Sequence, residues 1–344
     1  MSMGMVVSLA IGAFGAAAVV FTSFERPPVD ATQRGYRGTG MVEIDNPRTT
    51  AINVARNRMP ESLPAQEPTG QPSSAVYTNV QVLKDVDAGE FLRLMTAITE
   101  WVSPVQGCNY CHKEDDLADD SLYTKIVSRR MLQMTAAINE TWKPHVGETG
   151  VTCYTCHRGQ PVPADIWFSE PYHPKGSVGN RAGQNAPSPA VGLTSLPNEP
   201  FTSLLRQPGE IRVVSQTALP AGNRQSIKQT EGTYGLMVHL SEALGVNCTF
   251  CHNSRSFAAW DQSSPQRATA WHGIRMVRDL NTAYLEPLKS VFPNYRLGPH
   301  GDVPQVNCST CHQGANKPLY GARQLADYPE LVGKPVPPAS PSRQ

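Results

Sequence analysis

Cys108-Asn109-Tyr110-Cys111-His112 is the stretch on which the reading turns. It returns three times, as Cys153-Tyr154-Thr155-Cys156-His157, Cys248-Thr249-Phe250-Cys251-His252 and Cys308-Ser309-Thr310-Cys311-His312. Two cysteines at this spacing reach the two vinyl groups of one porphyrin, and a histidine directly after the second is held under the iron. The pattern is that of covalent c-type haem attachment. All 8 cysteines of the chain lie in the four motifs. A disulfide framework would not leave histidine after every second cysteine, and zinc pairs follow no such rule. The spacing therefore predicts four c-type haems. Cys108, Cys111, Cys153, Cys156, Cys248, Cys251, Cys308 and Cys311 would form the thioethers, with His112, His157, His252 and His312 as proximal iron ligands.

Composition agrees. With 344 residues, only 7% aromatic, the chain is poor in large core side chains, and four porphyrins would supply apolar volume. The 30 prolines and 27 glycines predict a mainly α fold with much irregular structure wrapped around haems. A net charge of +1 gives no reason to expect nucleic acid. Haem attachment of this kind takes place outside the cytoplasm, so the folded part is expected in the periplasm.

Outward from the motifs, six segments are expected. Residues 1–24 carry no charge and read as a single transmembrane anchor. A cleaved signal peptide ending near Ala16-Ala17-Ala18 is the rival, and the missing basic n-region favours the anchor. Residues 25–84, rich in Pro and Gly, read as an extended arm. Residues 85–160 form a first dihaem half, with helices at Asp87–Val102 (a capping box of Asp87 with Glu90) and about Ser121–Trp142, and with Ile126, Val127, Met131, Met134 and Ile138 facing inward. Residues 161–230 read as a linker with a short strand at Ile211–Val214. Residues 231–320 form a second dihaem half, with helices at about Tyr234–Leu244 and Pro265–Leu285. Residues 321–344 read as a tail. Helix–haem site–helix–haem site occurs twice, which predicts an internal duplication.

The distal iron ligand decides whether a haem carries electrons or does chemistry. Met95 lies thirteen residues before Cys108, Met237 eleven before Cys248, and Met131 or Met134 about twenty before Cys153. Each stands on a helix leading into a motif, where the alternative is an ordinary core methionine. For the fourth iron, Met276, His145, His300 and His272 all stay open; His239 and His173 read as ordinary histidines. The acidic run Glu114 to Asp120 beside the first motif reads either as a steering patch for a basic donor or as a solvated loop whose Asp119 and Asp120 cap the next helix.

Beyond the motifs, Glu25-Arg26-Pro27-Pro28, Gln33-Arg34-Gly35-Tyr36-Arg37-Gly38-Thr39-Gly40-Met41, Trp271 to Asp279 and Thr310-Cys311-His312-Gln313-Gly314 resemble the tetrahaem cytochrome subunit of the photosynthetic reaction centre of purple bacteria. The resemblance runs from about Glu25 to Leu331. It implies a subunit on the periplasmic face of the membrane-embedded reaction centre, whose haems re-reduce the photo-oxidised bacteriochlorophyll pair. A soluble c-type cytochrome or a high-potential iron–sulfur protein would be the donor. Membrane lipid and light-harvesting chains are further expected neighbours. The resemblance also implies distal ligands: Met95 for the first haem, Met131 for the second, Met237 for the third and His145 for the fourth. Along the wire it implies the third haem nearest the pigment pair, then the fourth, the second and the first. Arg267 would stand beside the third haem. Many relatives carry a lipidated N-terminal cysteine, which this chain lacks; His300 stands where the family requires no histidine. A multihaem reductase and a free membrane-anchored shuttle are the other classes, and both would leave the chain without bacteriochlorophyll at purification.

Overall fold

The computed structural model describes residues 3–23, 28–33, 42–169, 188–197, 199–214 and 225–333. His173, residues 34–41 and the tail beyond 333 lie outside these. Helix α1, Met3–Ser23, has 21 residues, no charge and no buried side chain. At about 1.5 Å per residue it is ~30 Å long, enough to cross a bilayer core.

The arm is more ordered than its composition predicts. Strands β1 (Asp30–Gln33) and β2 (Val42–Asp45) pair antiparallel, with Asp30 opposite Asp45 and Gln33 opposite Val42. Helix α2 (Pro47–Arg56) follows, capped by Asn46, whose side chain accepts from Arg48 N, with proline in the first turn. The short α3 (Ser73–Val76) leads into α4 (Ala88–Val102). Asp87 is the N-cap of α4, as its residue type predicts, and accepts from Gly89 N at 2.9 Å. The expected capping box does not form. Glu90 turns away from the Asp87 N–H, because Gln66 N at 2.5 Å and Arg93 Nε at 2.5 Å are better donors. The arm lies on α4 through these bonds and through Thr69 Oγ1 and Gly70 N, both 2.9 Å from Asp87 Oδ2.

Helix α5 (Tyr123–Thr141) is followed by the four-residue turn α6 (Lys143–Val146), with Pro144 in its first turn, and by α7 (Cys153–His157). Ile126, expected to face inward, is 39% exposed. Helix α8 spans Ile227–Leu244, two turns longer than the apolar pattern alone predicts. The extra turns come from a capping box in which Ser226 and Gln229 each accept from the other's N–H. Helix α9 (Pro265–Asp279) widens into i→i+5 turns at Leu280–Leu285, and α10 is Cys308–His312.

Residues 211–214 form no strand. The stretch read as a linker is more than a spacer: Trp167, Phe201, Leu204 and Leu205 are buried against Leu236 of α8 and Ile274 and Val277 of α9. Similarly, Tyr328 and Leu331 of the expected tail are buried on Leu94, Ala97 and Trp101 of α4. A third core joins Ala137 and Ile138 of α5 to Met276, Leu280 and Tyr284. Sparse apolar residues in proline-rich chain are hard to see as core, because they have no period.

Arg93 ties three segments together. Its guanidinium is buried, meets Glu90, donates to Leu63 O at 3.0 Å and to Asp327 O at 2.6 Å, and lies 4.3 Å above the Tyr328 ring. Arg93→Ala strands these acceptors and is expected to cost about 3 kcal/mol, read as a lower denaturant midpoint at unchanged slope. Arg93→Lys should recover only part of it, since a lysine lacks the planar fork. A change of under about 1 kcal/mol would show the pair to be no more than a surface ion pair.

Candidate haem-binding centre

The four motifs take two local forms. The second and fourth are short helices, α7 and α10. In each, the residue before the first cysteine shares a capping box with the third motif residue: Thr152 with Thr155, and Asn307 with Thr310. The residue after each histidine is left-handed, Arg158 at φ 52° and Gln313 at φ 48°, and a glycine follows. The first and third motifs instead form a tight 3-10 turn, at Gly107–Tyr110 and Cys248–Phe250. A hydroxyl fourteen residues on closes each turn: Thr124 Oγ1 on Tyr110 O at 2.5 Å and Ser264 Oγ on Phe250 O at 2.6 Å.

One feature is common to all four. Each motif histidine places Nδ1 on a main-chain carbonyl of the loop that follows. His112 meets Leu117 O at 2.9 Å and His252 meets Phe257 O at 3.0 Å. His157 meets Gln160 O at 2.8 Å and His312 meets Ala315 O at 2.9 Å. A carbonyl only accepts, so Nδ1 carries the hydrogen and Nε2 keeps its lone pair. His145 follows the same rule, with Nδ1 2.9 Å from Thr269 O of α9. Burial favours the neutral ring at His157, His312, His145 and His252. Burial pushes the His157 pKa down, and that of His312 to about 4, where the nearby His145 adds to the effect. Burial likewise lowers His145, and it lowers His252, where the Arg267 charge contributes. Neutral imidazoles with a free Nε2 are the form that ligates a metal. Burial also pushes the Cys153 and Cys308 thiols up to about 12, so they are not nucleophiles of the catalytic kind.

The cysteines and histidines of the first, second and fourth motifs line one apolar cavity of about 1150 Å³. Met95 of α4, Met131 of α5 and His145 of α6 line it too, and so do Met134 and Met276. Met237 and the third motif's cysteines and histidine do not; Met237 packs instead against the core around Trp167 and Phe201. The His145 and His312 ring centroids are 6.0 Å apart. His300 is exposed, and His272 packs edge-on against Trp271. His239 is buried, and burial takes it down to about 4. Arg267 lies 4.1 Å above the Trp260 ring and donates to Ala259 O at 2.9 Å.

Two findings depart from the sequence reading. Disulfides were not expected, yet Cys156 and Cys311 are joined by one, with their Cα atoms 4.4 Å apart. The short helices α7 and α10 cross at these two residues. The other six cysteines are free. The disulfide and thioethers at both positions are mutually exclusive, because they use the same two sulfurs. Second, Asp119 and Asp120 do not cap α5, whose N-cap is Leu122. Asp119 accepts from Ser121 N and pairs with Lys113 at 3.0 Å, bonds that hold its carboxyl down at about 2. Asp120 pairs with Arg129 at 2.9 Å and Lys125 at 3.2 Å, which also depresses its carboxyl.

The sequence reading missed Asn57 and Gly273. The buried Asn57 carboxamide donates to Gln313 O and accepts from Leu319 N and Arg158 Nη2, all at 3.1 Å, so the arm joins the second and fourth motifs. Gly273 sits inside α9, where glycine is a poor helix former. A Cβ there would lie 2.5 Å from His145 Cε1. A glycine on an otherwise good helix face was the available signal.

The chain from residue 25 to 332 matches the profile of the family described as photosynthetic reaction centre cytochrome C subunit. Among its relatives, the photosynthetic reaction center cytochrome c subunit of Rubrivivax gelatinosus is 56% identical over 94% of this chain and 88% of its own length. The subunit of the same name from Thermochromatium tepidum is 52% identical over 92% of this chain and 78% of its own. That of Roseobacter denitrificans is 42% identical over 96% and 92%.

Gly273→Ala is expected to drive the His145 ring away from α9 and to destabilise by about 1–3 kcal/mol. A crystal structure of the variant would show the His145 Nδ1–Thr269 O bond broken. An unmoved ring would mean that α9 itself yields.

Proposed function

Because this chain belongs to the family of photosynthetic reaction centre cytochrome c subunits, we propose that it is a four-haem electron relay on the periplasmic face of the membrane. It would return electrons to the photo-oxidised bacteriochlorophyll pair. The observation that carries this reading is the shared tautomer: four motif histidines, each with Nδ1 tied to a carbonyl and Nε2 free. Haem supplies one-electron chemistry when bound. The residues of the chain attach it, orient it and set how readily it gives up an electron.

The cysteine pairs would form the thioethers, Cys156 and Cys311 as reduced thiols in place of their disulfide. Met95, Met131 and Met237 would be distal ligands of the first, second and third haems. His145 would face His312 at the fourth. The two rings, 6.0 Å apart between centroids and both lining the cavity, would together hold that haem. His300 has no such neighbour among the described ring contacts. Methionine raises a haem potential relative to histidine, so the fourth site would be a low step between higher ones. The crossing of α7 and α10 at Cys156 and Cys311 supports adjacency of the second and fourth haems. The paired local forms of the motifs, first with third and second with fourth, support an internal duplication.

Helix α1 would anchor the chain beside the membrane subunits. A soluble c-type cytochrome or high-potential iron–sulfur protein would supply electrons at the first haem. Glu114 and Asp115 remain available to steer a basic donor, whereas Asp119 and Asp120 are committed to internal pairs.

The purified protein should carry four haems per chain by its alkaline pyridine spectrum and no alkylatable thiol. Retained thiols would mean that a motif is unused. In membranes, one flash should re-reduce the pigment pair in step with oxidation of a haem on this chain. Haems that stay reduced while the pair recovers would place the chain in another pathway.

A further inference from the structure

The Leu117 carbonyl, in the loop after the first motif, accepts two bonds. One comes from His112 Nδ1 at 2.9 Å, the other from the Lys125 ammonium at 2.8 Å. Lys125 is 6% exposed, in the first turn of α5. A buried cation is costly unless every donor is met. Here all three are: the other two N–H groups meet Asp119 O at 2.9 Å and Asp120 Oδ1 at 3.2 Å. Asp120 is held in turn by Arg129 at 2.9 Å and by Asn79 Nδ2 at 2.9 Å. The equivalent acceptors behind the second and fourth histidines, Gln160 O and Ala315 O, take no lysine or arginine N–H among the described residues.

We propose that Lys125 is a positioning residue for the first iron site. It fixes the carbonyl that orients His112 and favours the reduced state of the haem that His112 holds. Two effects act in the same direction. A carbonyl already engaged by a cation is a weaker acceptor for the His112 N–H, so the imidazole gives less electron density to a ferric iron. The ammonium charge also opposes the extra positive charge of the oxidised site. The second half of the acidic run then has a role inside the site: the Leu117 and Asp119 carbonyls hold Lys125 in place, and the Asp120 carboxylate offsets its charge. The inference rests on the reading of His112 as an iron ligand.

The test is potentiometric titration of the full-length, haem-loaded protein in membranes, followed at the haem α-band, with Met95→His marking the component of the first haem. Lys125→Met should shift that component toward the oxidised form by about tenfold, or about 59 mV for one electron, and leave the other three in place. Lys125→Arg, which keeps charge and donors, should restore more than half of the shift. Asp120→Asn should move the same component the opposite way, because the cation loses a counter-charge. A Lys125→Met protein with four haems and no shift, or with equal shifts in all four, would overturn the proposal. If Lys125→Met does not load haem, Asp120→Asn decides: a rise supports the role and no rise removes it. Absence of haem from the first motif of the unaltered protein would instead defeat the underlying reading of His112.

Discussion

The bond from an imidazole Nδ1–H to a main-chain carbonyl is the constraint on which the rest of the structure depends. It occurs at all four motif histidines and again at His145. A histidine left free would offer either nitrogen in either direction. Tied down, it offers one lone pair along one line. The loops after the motifs must then place a carbonyl three or five residues beyond the histidine. The left-handed backbone at Arg158 and Gln313, with glycine following, turns the chain back to do so. Helices α4, α5, α8 and α9 fill the space that these loops leave; α4 and α5 bring Met95 and Met131, and the turn α6 brings His145, to one cavity.

Chain of low apolar content is held to this centre by polar clamps more than by a large core. Asn57 fastens the arm to Arg158 and Gln313 of the two helical motifs. Arg93 fastens arm, α4 and C-terminal segment together. Asn281 does the same for α9, accepting from Val306 N at 2.9 Å and donating to Leu205 O at 3.0 Å. Each is a buried polar group that meets several carbonyls or amides from distant parts of the chain. Such groups are costly when half satisfied and rigidifying when complete, which suits cofactors that must keep fixed spacing.

Much of this was legible in the sequence. The motifs fix the cofactor class, because the chemistry demands residue type and spacing at once. The α4 and α5 helices were legible from their apolar period, and Asp87 and Pro265 as start signals of α4 and α9. Other parts were not. Trp167, Phe201 and Tyr328 are core side chains in segments without a period. The hairpin of β1 with β2 is only four residues a side and lacks a turn signature that stands out from the surrounding glycines. Glu90 reads as a capping partner until Gln66 and Arg93, brought by the fold, compete for it. Spacing alone left four residues open for the fourth iron; the resemblance implied His145, and its ring lies 6.0 Å from that of His312.

The central claim is that three methionines and one histidine complete the iron sites. Near-infrared magnetic circular dichroism of the fully oxidised protein separates methionine–histidine from bis-histidine haem. Three signals of the first kind and one of the second are predicted, the latter lost in His145→Ala and kept in His300→Ala. Four methionine–histidine signals, or a bis-histidine signal that survives the loss of His145, would contradict it.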